Sequence, residues 1–291
     1  MIRQLSKTTL LSVCLLILTA FGSVKAEIVS QIIQPSKIKA VADYVVGDPN
    51  KPAILILHGF LTTNQFHTIT AISNILQEEE FSTLAPNLTL RIPQRRDSIK
   101  CNSIHTNTLE DDVIEVKDWV NWLKAQGHKK IILLGHSSGS SSLLQYLHEN
   151  EDSAIILAIF TSLFYLNGAE LGIQNSDIAA AKLAVAAQDN YPRNYSFNFC
   201  QKNYYATPNS FLSYLKMDRQ YTLDTLNSLK IPNYTIMAGE DKRYNRVGLE
   251  WLKELRATST KLVIINGTNH FFSGEYELDF QDSLINVING Y

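Results

Sequence analysis

The sequence predicts an α/β protein built on a doubly wound, mostly parallel sheet that carries a helical insertion. The continuous apolar run Ala53–Leu57 is typical of a strand that is buried on both faces of a parallel sheet. Lys130–Leu134 is predicted to be another buried strand, and Lys261–Ile265 is predicted to be the last strand. Segments with the apolar spacing of helices separate these runs. Such alternation implies right-handed crossovers between parallel strands.

The other elements follow in order. Two β-like segments, Ile28–Ile33 and Ile38–Val46, precede a turn rich in Gly, Asp and Pro. The amphipathic segment Leu109–Gln126 has three acids near its start, where they favour the helix dipole and capping. The remaining predicted core elements are helices at Phe66–Glu80, Ser138–Asn150, Val247–Leu255 and Gln281–Asn289, and strands at Ser82–Leu88, Ala154–Phe160 and Tyr234–Met237.

Residues 161–229 interrupt this alternation. Two helices are predicted there, Asp177–Gln188 and Pro208–Lys216, and the second has proline in its first turn. The segment is crowded with Phe and Tyr, which can form a small core of their own or line a pocket. We therefore expect an insertion between two strands of one sheet.

Residues 1–26 have the pattern of a cleavable signal peptide. Arg3 and Lys7 precede an apolar run that extends to Ser23, and small residues follow. The run is short for a transmembrane span, and an uncleaved N-terminal anchor is the alternative. The prediction is a mature chain of residues 27–291 that is periplasmic or secreted and has no stable membrane span.

The charge and the motifs narrow the classes of partner. The formal net charge is −2, and it becomes −5 when the signal segment, with three basic and no acidic side chains, is removed. A mildly acidic body argues against nucleic acid as a partner. The histidines and cysteines lack zinc-ligand spacing, and no phosphate-loop or dinucleotide signature occurs, so neither a metal nor a cofactor is predicted. The loop arginines Arg91, Arg95 and Arg96 are expected to be solvated.

Cys101 and Cys200 are the cysteines of the mature chain. Export implies an oxidising compartment, which favours a disulfide between them. Two unpaired thiols are the alternative. A bridge would tie the insertion to the loop that follows the fourth strand.

Gly135-His136-Ser137-Ser138-Gly139 is a G-x-S-x-G pentapeptide. A buried strand directly precedes it and a helical pattern directly follows it, which is the context of a nucleophilic serine on a sharp strand-to-helix turn. The glycines leave room for that turn, and the turn exposes the Ser137 hydroxyl. Ser137 is therefore the candidate nucleophile, and a plain Gly/Ser turn is the alternative.

A serine nucleophile requires a base and an orienting carboxylate. His270 follows the last predicted strand, as the base should. Glu240 and Asp241 follow the preceding strand of the core, and Asp241 is the preferred acid. The order Ser137, Asp241, His270 is the order expected for an elbow of this kind.

These residues identify a resemblance. The mature chain resembles the serine hydrolases of the α/β-hydrolase superfamily in His58-Gly59-Phe60, in the pentapeptide at 135–139, in Ala238-Gly239-Glu240-Asp241 and in Gly267-Thr268-Asn269-His270. The resemblance implies an oxyanion hole from the backbone N–H groups of Ser138 and Phe60, with Leu61 as the adjacent alternative. It also implies that residues 161–229 form a cap.

The function implied by the resemblance is cleavage of a carboxylic ester, in the manner of an esterase or lipase. The expected partner is a small-molecule or lipid-like ester. A peptidase or amidase with the same three residues is an alternative, because leaving-group preference depends on the pocket. A binding protein of this fold with an idle site is the alternative from another class.

Overall fold

The computed structural model describes residues 26–291. The predicted signal segment, apart from Ala26, lies outside the described residues. The strands are β1 (Glu27–Ile32), β2 (Lys39–Val45), β3 (Ala53–Leu57), β4 (Thr83–Pro86), β5 (Ile131–His136), β6 (Ile155–Thr161), β7 (Arg193–Phe197), β8 (Cys200–Ala206), β9 (Asn233–Ala238) and β10 (Lys261–Ile265). The helices are α1 (His67–Glu78), α2 (Leu109–Ala125), α3 (Ser138–Glu149), α4 (Asn175–Ala186), α5 (Pro208–Tyr214), α6 (Arg219–Ser228), α7 (Tyr244–Val247), α8 (Glu250–Arg256) and α9 (Glu277–Ile288).

Eight strands form the main sheet in the order β1-β2-β4-β3-β5-β6-β9-β10. The strand β2 pairs antiparallel with both β1 and β4. From β4 to β10 every neighbouring pair is parallel. The predicted doubly wound, mostly parallel sheet is confirmed.

The central strands are apolar throughout because helices cover both faces of the sheet. In β3, Ile54 and Ile56 face a cluster that includes residues of α1 and α9. Leu55 and Leu57 face the opposite cluster, which includes residues of α2 and α3. Alternate side chains of one strand thus enter two different cores, as the period of two requires.

The start of α2 differs from its prediction in one respect. Thr108 and Asp111 form a reciprocal capping box, as helix-start chemistry favours. Asp112 instead points inward and is buried, because α3 and α5 pack over this turn and supply its hydrogen-bond partners. The prediction that this carboxylate favours the helix dipole is therefore incomplete for Asp112.

The segment between β6 and β9 contains more structure than the two predicted helices. The helices α4 and α5 are present within a few residues of their predicted bounds. Between them the strands β7 and β8 pair as an antiparallel hairpin, which the sequence analysis missed. Most of the aromatic side chains of the segment are buried, while Tyr191 and Phe199 remain exposed.

The predicted helix Val247–Leu255 is wrong as a single element. Gly248 has φ +77°, a backbone conformation that ends α7 and separates it from α8. Within the described residues no helix is long and apolar enough to cross a membrane. The same residues contain no group of three or more His, Cys, Asp or Glu side chains that could hold a metal ion.

Candidate active site

Ser137 lies at the tight turn between β5 and α3. Its backbone angles, φ 56° and ψ −122°, are sparsely populated and cost about 1–3 kcal/mol. The turn needs glycine on both sides. A Cβ atom on Gly139 would lie 2.4 Å from the carbonyl oxygen of His58, and one on Gly135 would lie 2.6 Å from the backbone nitrogen of Ser140. The G-x-S-x-G spacing therefore has a steric cause in this fold.

His270 lies on the loop between β10 and α9 and faces the serine. Its Nε2 atom is 3.0 Å from Ser137 Oγ. The Ser162 hydroxyl donates to the His270 carbonyl oxygen at 2.8 Å, which ties this loop to the end of β6. The structure thus brings the predicted nucleophile and the predicted base within hydrogen-bond distance.

Asp241 follows β9 and faces the other side of the imidazole. Its Oδ2 atom accepts a hydrogen bond from His270 Nδ1 at 2.5 Å, and its Oδ1 atom accepts from the backbone N–H of Arg243 at 2.9 Å. Glu240, the alternative acid, has an exposed side chain. Of the two carboxylates, Asp241 is the one that the fold joins to the histidine.

Burial and neighbouring charges set the protonation of this pair. Burial lowers the pKa of His270, and the positive charge of Arg243 lowers it further, while the bond to Asp241 opposes both; the net pKa is below 6.5. Burial raises the pKa of Asp241, but the hydrogen bond from His270 and the charge of that histidine lower it more, so the net shift is downward. At neutral pH the site therefore has a neutral imidazole held by a carboxylate, which suits a general base.

Backbone N–H groups with no hydrogen-bond partner among the described residues lie beside Ser137. They belong to Phe60, Leu61 and Ser138. Gly59 packs against the serine, since a Cβ on Gly59 would lie 3.4 Å from Ser137 Cβ. The Gly59 carbonyl oxygen accepts a hydrogen bond from the ring of His58. Because the N–H and C=O of a trans peptide point in opposite directions, the Phe60 N–H faces away from that ring.

The ring of His58 is fixed by a buried arginine. His58 Nε2 accepts hydrogen bonds from the Leu88 backbone N–H at 3.1 Å and from the Arg95 guanidinium at 2.9 Å. Burial, and after it the charge of Arg95, lower the pKa of His58 to about 3. The imidazole is therefore neutral, with its proton on Nδ1.

The expectation that Arg95 is solvated is wrong. The side chain is buried, because backbone carbonyl oxygens accept the hydrogen bonds that its guanidinium donates. It donates to the carbonyl oxygens of Leu88 at 2.6 Å, Thr62 at 2.8 Å and Asp97 at 2.9 Å. Arg95 thereby joins the loop after β3, which carries Gly59, to the loop after β4.

A narrow cavity opens beside the free N–H groups. Its walls include Phe60, Ser138 and Leu166, and polar side chains from α2, α3 and α5 line its far end. Its free volume is about 20 Å³, enough for about one water molecule. Only a small group fits between Ser137 and this polar end.

Two buried acids lie near that polar end, and the sequence analysis identified neither. Asp112 Oδ2 accepts hydrogen bonds from Ser142 and Tyr214, each at 3.0 Å, yet burial holds the pKa of Asp112 well above its usual range. Glu115 accepts hydrogen bonds from the backbone and the hydroxyl of Thr89. Burial raises the pKa of Glu115 to about 7.

A disulfide between Cys101 and Cys200 joins the loop after β4 to the start of β8, with Cα atoms 5.6 Å apart. Backbone bonds continue the contact, since Tyr205 N–H donates to the Cys101 carbonyl at 3.1 Å. The ring of Phe199, next to the bridge, packs edge-on to Phe60 with centroids 5.3 Å apart. The bridge therefore holds the tip of the β7–β8 hairpin against the loop that carries the free N–H groups.

Comparison with known proteins places the fold. Residues 69–206, just under half of the chain, match a family described as a protein of unknown function, DUF1749. No curated protein matches the sequence significantly. Among solved structures, Est1E from Butyrivibrio proteoclasticus superposes with a TM-score of 0.60 at 17% identity, over 90% of this chain and 99% of that chain. DcsB, in complex with a substrate analogue, gives 0.69 at 15% identity over 91% and 99%, and the Pyrococcus furiosus esterase PF2001 gives 0.61 at 16% over 92% and 91%.

These structural similarities identify the fold class. The chain has the α/β-hydrolase fold, so the resemblance seen in the sequence is confirmed at the level of fold. Other neighbours include a bromoperoxidase and an epoxide hydrolase, so the fold is shared by proteins with different reactions. The neighbours show the fold alone, and the choice of reaction rests on the site.

Proposed function

We propose that this protein is a serine hydrolase that cleaves small carboxylic esters through an acyl-enzyme on Ser137. The observation that carries the proposal is the hydrogen-bonded chain from Ser137 Oγ through the imidazole of His270 to Asp241. A serine hydroxyl becomes a useful nucleophile when an adjacent base accepts its proton. The geometry supplies that base in its neutral form.

The reaction has two acyl-transfer steps. As Ser137 Oγ attacks the ester carbonyl carbon, its proton moves to His270 Nε2, and Asp241 stabilises the imidazolium that forms. His270 then gives the proton to the leaving alkoxide, and the acyl group remains on Ser137. Water, deprotonated by His270, attacks the acyl carbon; the bond to Ser137 Oγ breaks, His270 returns the proton to Ser137 Oγ, and the acid is released.

The developing oxyanion would be bound by the N–H groups of Phe60 and Ser138. Neither N–H has a hydrogen-bond partner within residues 26–291, and the Gly59–Phe60 peptide has its carbonyl held away from the site by His58. Each such donor contributes roughly 3 kcal/mol to stabilisation of the transition state. Leu61, whose N–H is also free, is the adjacent alternative.

The narrow cavity supports a preference for short acyl groups. It begins at Phe60 and Ser138, where the carbonyl oxygen of the substrate would lie, and it has room for little more than one water molecule. Within the proposed function, acetyl and propionyl esters are therefore better substrates than long-chain esters.

Two further parts of the proposal concern the chain around the site. Residues 161–229 would act as a cap, since Leu166 and Phe197 from this segment line the narrow cavity. The protein would be exported through the signal segment at its N-terminus, into the periplasm or beyond the cell. The Cys101–Cys200 bridge supports export, because such bonds persist in oxidising compartments.

The test is active-site labelling. Purified protein is treated with a fluorophosphonate probe, whose phosphorus bonds to an activated serine oxygen with loss of fluoride, and the adduct is located by mass spectrometry. We expect a single adduct on Ser137 that is lost in Ser137→Ala and in His270→Gln. The exposed serine variant Ser153→Ala serves as the control and should label as the wild type does.

The remaining outcomes separate the alternatives. Equal labelling of the wild type and Ser137→Ala would place the nucleophile elsewhere. No labelling of folded wild type, together with no turnover of short esters, would favour a binding protein with an idle site. If Ser137 labels but a matched panel of esters and amides shows faster amide cleavage, the protein is an amidase or peptidase.

A further inference from the structure

A second cavity lies on the histidine side of the candidate site. Its volume is about 410 Å³, within the range of sites that bind small molecules. Its lining residues include Leu166, Asn198 and Phe199 from the insertion, and Lys242, Arg243 and Arg246 from the loop after Asp241. We call it the basic cleft.

The basic cleft adjoins the reacting groups. Arg243 stands two residues after Asp241, and its guanidinium carbon lies 5.5 Å from the ring centroid of Phe164. The ring of Phe164 is in turn 6.1 Å from the ring of His270. Leu166 lines both the basic cleft and the narrow cavity. The basic cleft and the narrow cavity therefore share a wall at Leu166 and lie on the same side of the molecule as the reacting groups.

The three cations of the cleft have no carboxylate partner among the described residues. Elsewhere in this part of the chain, arginines at 91, 96, 193 and 219 each pair with an acid within 3.2 Å. Glu170, an acid close to the cleft, accepts a hydrogen bond from Tyr165 and forms no ion pair with the cleft cations. Three positive charges around one cleft, without an acidic partner, favour an anionic ligand.

Arg243 is the best placed of the three. It is half-buried, and burial lowers its pKa from the usual arginine value. Its guanidinium donates to Asn198 Oδ1 at 3.1 Å. An anion in the cleft would compensate a guanidinium that has lost much of its water.

The hairpin tip adds a neutral donor. Asn198 Nδ2 is buried and has no hydrogen-bond partner among the described residues, although Asn198 lines the cleft. A buried donor without an acceptor costs about 1–3 kcal/mol. The disulfide at the neighbouring Cys200 keeps this tip in place.

We propose that the basic cleft binds an anionic group, a carboxylate or a phosphate, carried by the alcohol part of the ester substrate. The reaction geometry determines which part of the substrate, acyl or alcohol, faces the basic cleft. The acyl group lies toward the narrow cavity beside Phe60 and Ser138, and the leaving oxygen must lie near His270, which protonates it. The alcohol part then extends toward the basic cleft. This inference rests on the proposed function.

The experiment compares two acetyl esters that differ in the charge of the alcohol part. They are 4-acetoxybenzoate, which is anionic, and its neutral methyl ester, and both rates are corrected for spontaneous hydrolysis. We expect kcat/KM for the anionic ester to be about tenfold higher or more at low salt, as a charge-assisted hydrogen bond would give. The preference should shrink at high ionic strength.

Charge-removing variants locate the preference. Arg243→Gln, and the double variant Lys242→Gln/Arg246→Gln, should each reduce the ratio of anionic to neutral ester hydrolysis toward one. Arg256→Gln, which removes an exposed cation outside the cleft, should keep the wild-type ratio. A preference for the anionic ester that survives both cleft variants would overturn the inference. Equal hydrolysis of the two esters by the wild type would also overturn it, but would leave the proposed function intact.

A binding measurement covers the case in which neither ester is cleaved, an outcome that counts against the proposed function. Calorimetric titration of Ser137→Ala with 4-hydroxybenzoate and with inorganic phosphate tests the cleft without turnover. Binding that is lost on adding Arg243→Gln supports the inference, and the tighter of the two probes shows whether the anion is a carboxylate or a phosphate. Absence of binding by both probes would overturn it.

Discussion

Removing the disulfide gives the most quantitative prediction. The perturbation is the double variant Cys101→Ser/Cys200→Ser. The bridge closes a loop between residues that are 99 apart in the sequence. Cross-linking a loop of about 100 residues removes conformational entropy from the unfolded chain that corresponds to about 4.7 kcal/mol at 25 °C in the chain-entropy model. For a protein of this size, each 1 kcal/mol shifts Tm by about 2–4 °C. The variant should therefore unfold roughly 9–19 °C below the oxidised wild type.

The fold itself should survive this change. Around the bridge, the backbone of His105 also bonds to Tyr205 at 2.9 Å, and the hairpin β7–β8 keeps its own ladder. The local effect should instead appear at the hairpin tip, where Asn198 and Phe199 lose their anchor. We expect ester hydrolysis with a raised KM, because one wall of the basic cleft becomes mobile.

The assay is thermal unfolding followed by circular dichroism, with and without reductant. Wild type in reductant and the double variant in reductant should have the same Tm, which separates loss of the cross-link from the cost of placing serine at the buried position of Cys200. A difference of less than about 1 kcal/mol between oxidised and reduced wild type would refute the entropic reasoning. Two titratable thiols in unreduced folded protein would refute the bridge.

Three further predictions concern the site and its surroundings. Because burial lowers the pKa of His270 below 6.5, kcat/KM should rise with pH with its midpoint below 6.5; a midpoint above 6.5 would contradict this assignment. In Gly139→Ala the new Cβ would lie 2.4 Å from the His58 carbonyl oxygen, so we expect a loss of about 1–3 kcal/mol in thermal unfolding and slower fluorophosphonate labelling; wild-type labelling would count against the close approach. The pKa of Glu115 rises from 4.5 to about 7 on burial, so the folded state binds a proton that the unfolded chain has lost, and stability should fall by about 3 kcal/mol as pH rises across that window. The free energy of unfolding, measured with urea at several pH values, should depend less steeply on pH for Glu115→Gln than for the wild type. An unchanged pH dependence would exclude Glu115 as the cause of the fall in stability.

Much of the fold could be predicted because its signals are local. The runs that became β3 and β5 are apolar and buried, as strands of a sheet covered on both faces should be. The run that became β10 lies at the edge of the sheet and is only half-buried. The pentapeptide at 135–139 is also local, since strand, turn and helix are contiguous in the sequence. The order of the acid and the base then follows from the order of the last strands.

The buried charges could not be predicted because their partners are distant in the sequence. Asp112 stands one position after a genuine capping residue, and nothing near it indicates that Ser142 and Tyr214 will hydrogen-bond to it. Arg95 donates hydrogen bonds to backbone carbonyl oxygens. Every residue has such a carbonyl, so the sequence does not mark these partners. The missed hairpin has a different cause, since β7 and β8 pair with each other and not with the main sheet, so they fall outside the strand–helix alternation of the core.

The contrast between the two cavities shows where specificity would be determined. The reacting groups lie at the ends of strands of one sheet, and their positions are fixed by the fold. The basic cleft is assembled from the loop after Asp241 and a hairpin tip in the insertion, and the bridge from Cys101 holds that tip in place. A change in any one of these segments can alter which alcohol part is accepted while Ser137, Asp241 and His270 stay in place. In this proposal the motif predicts the class of chemistry, and the cations of the basic cleft determine which alcohol part is accepted.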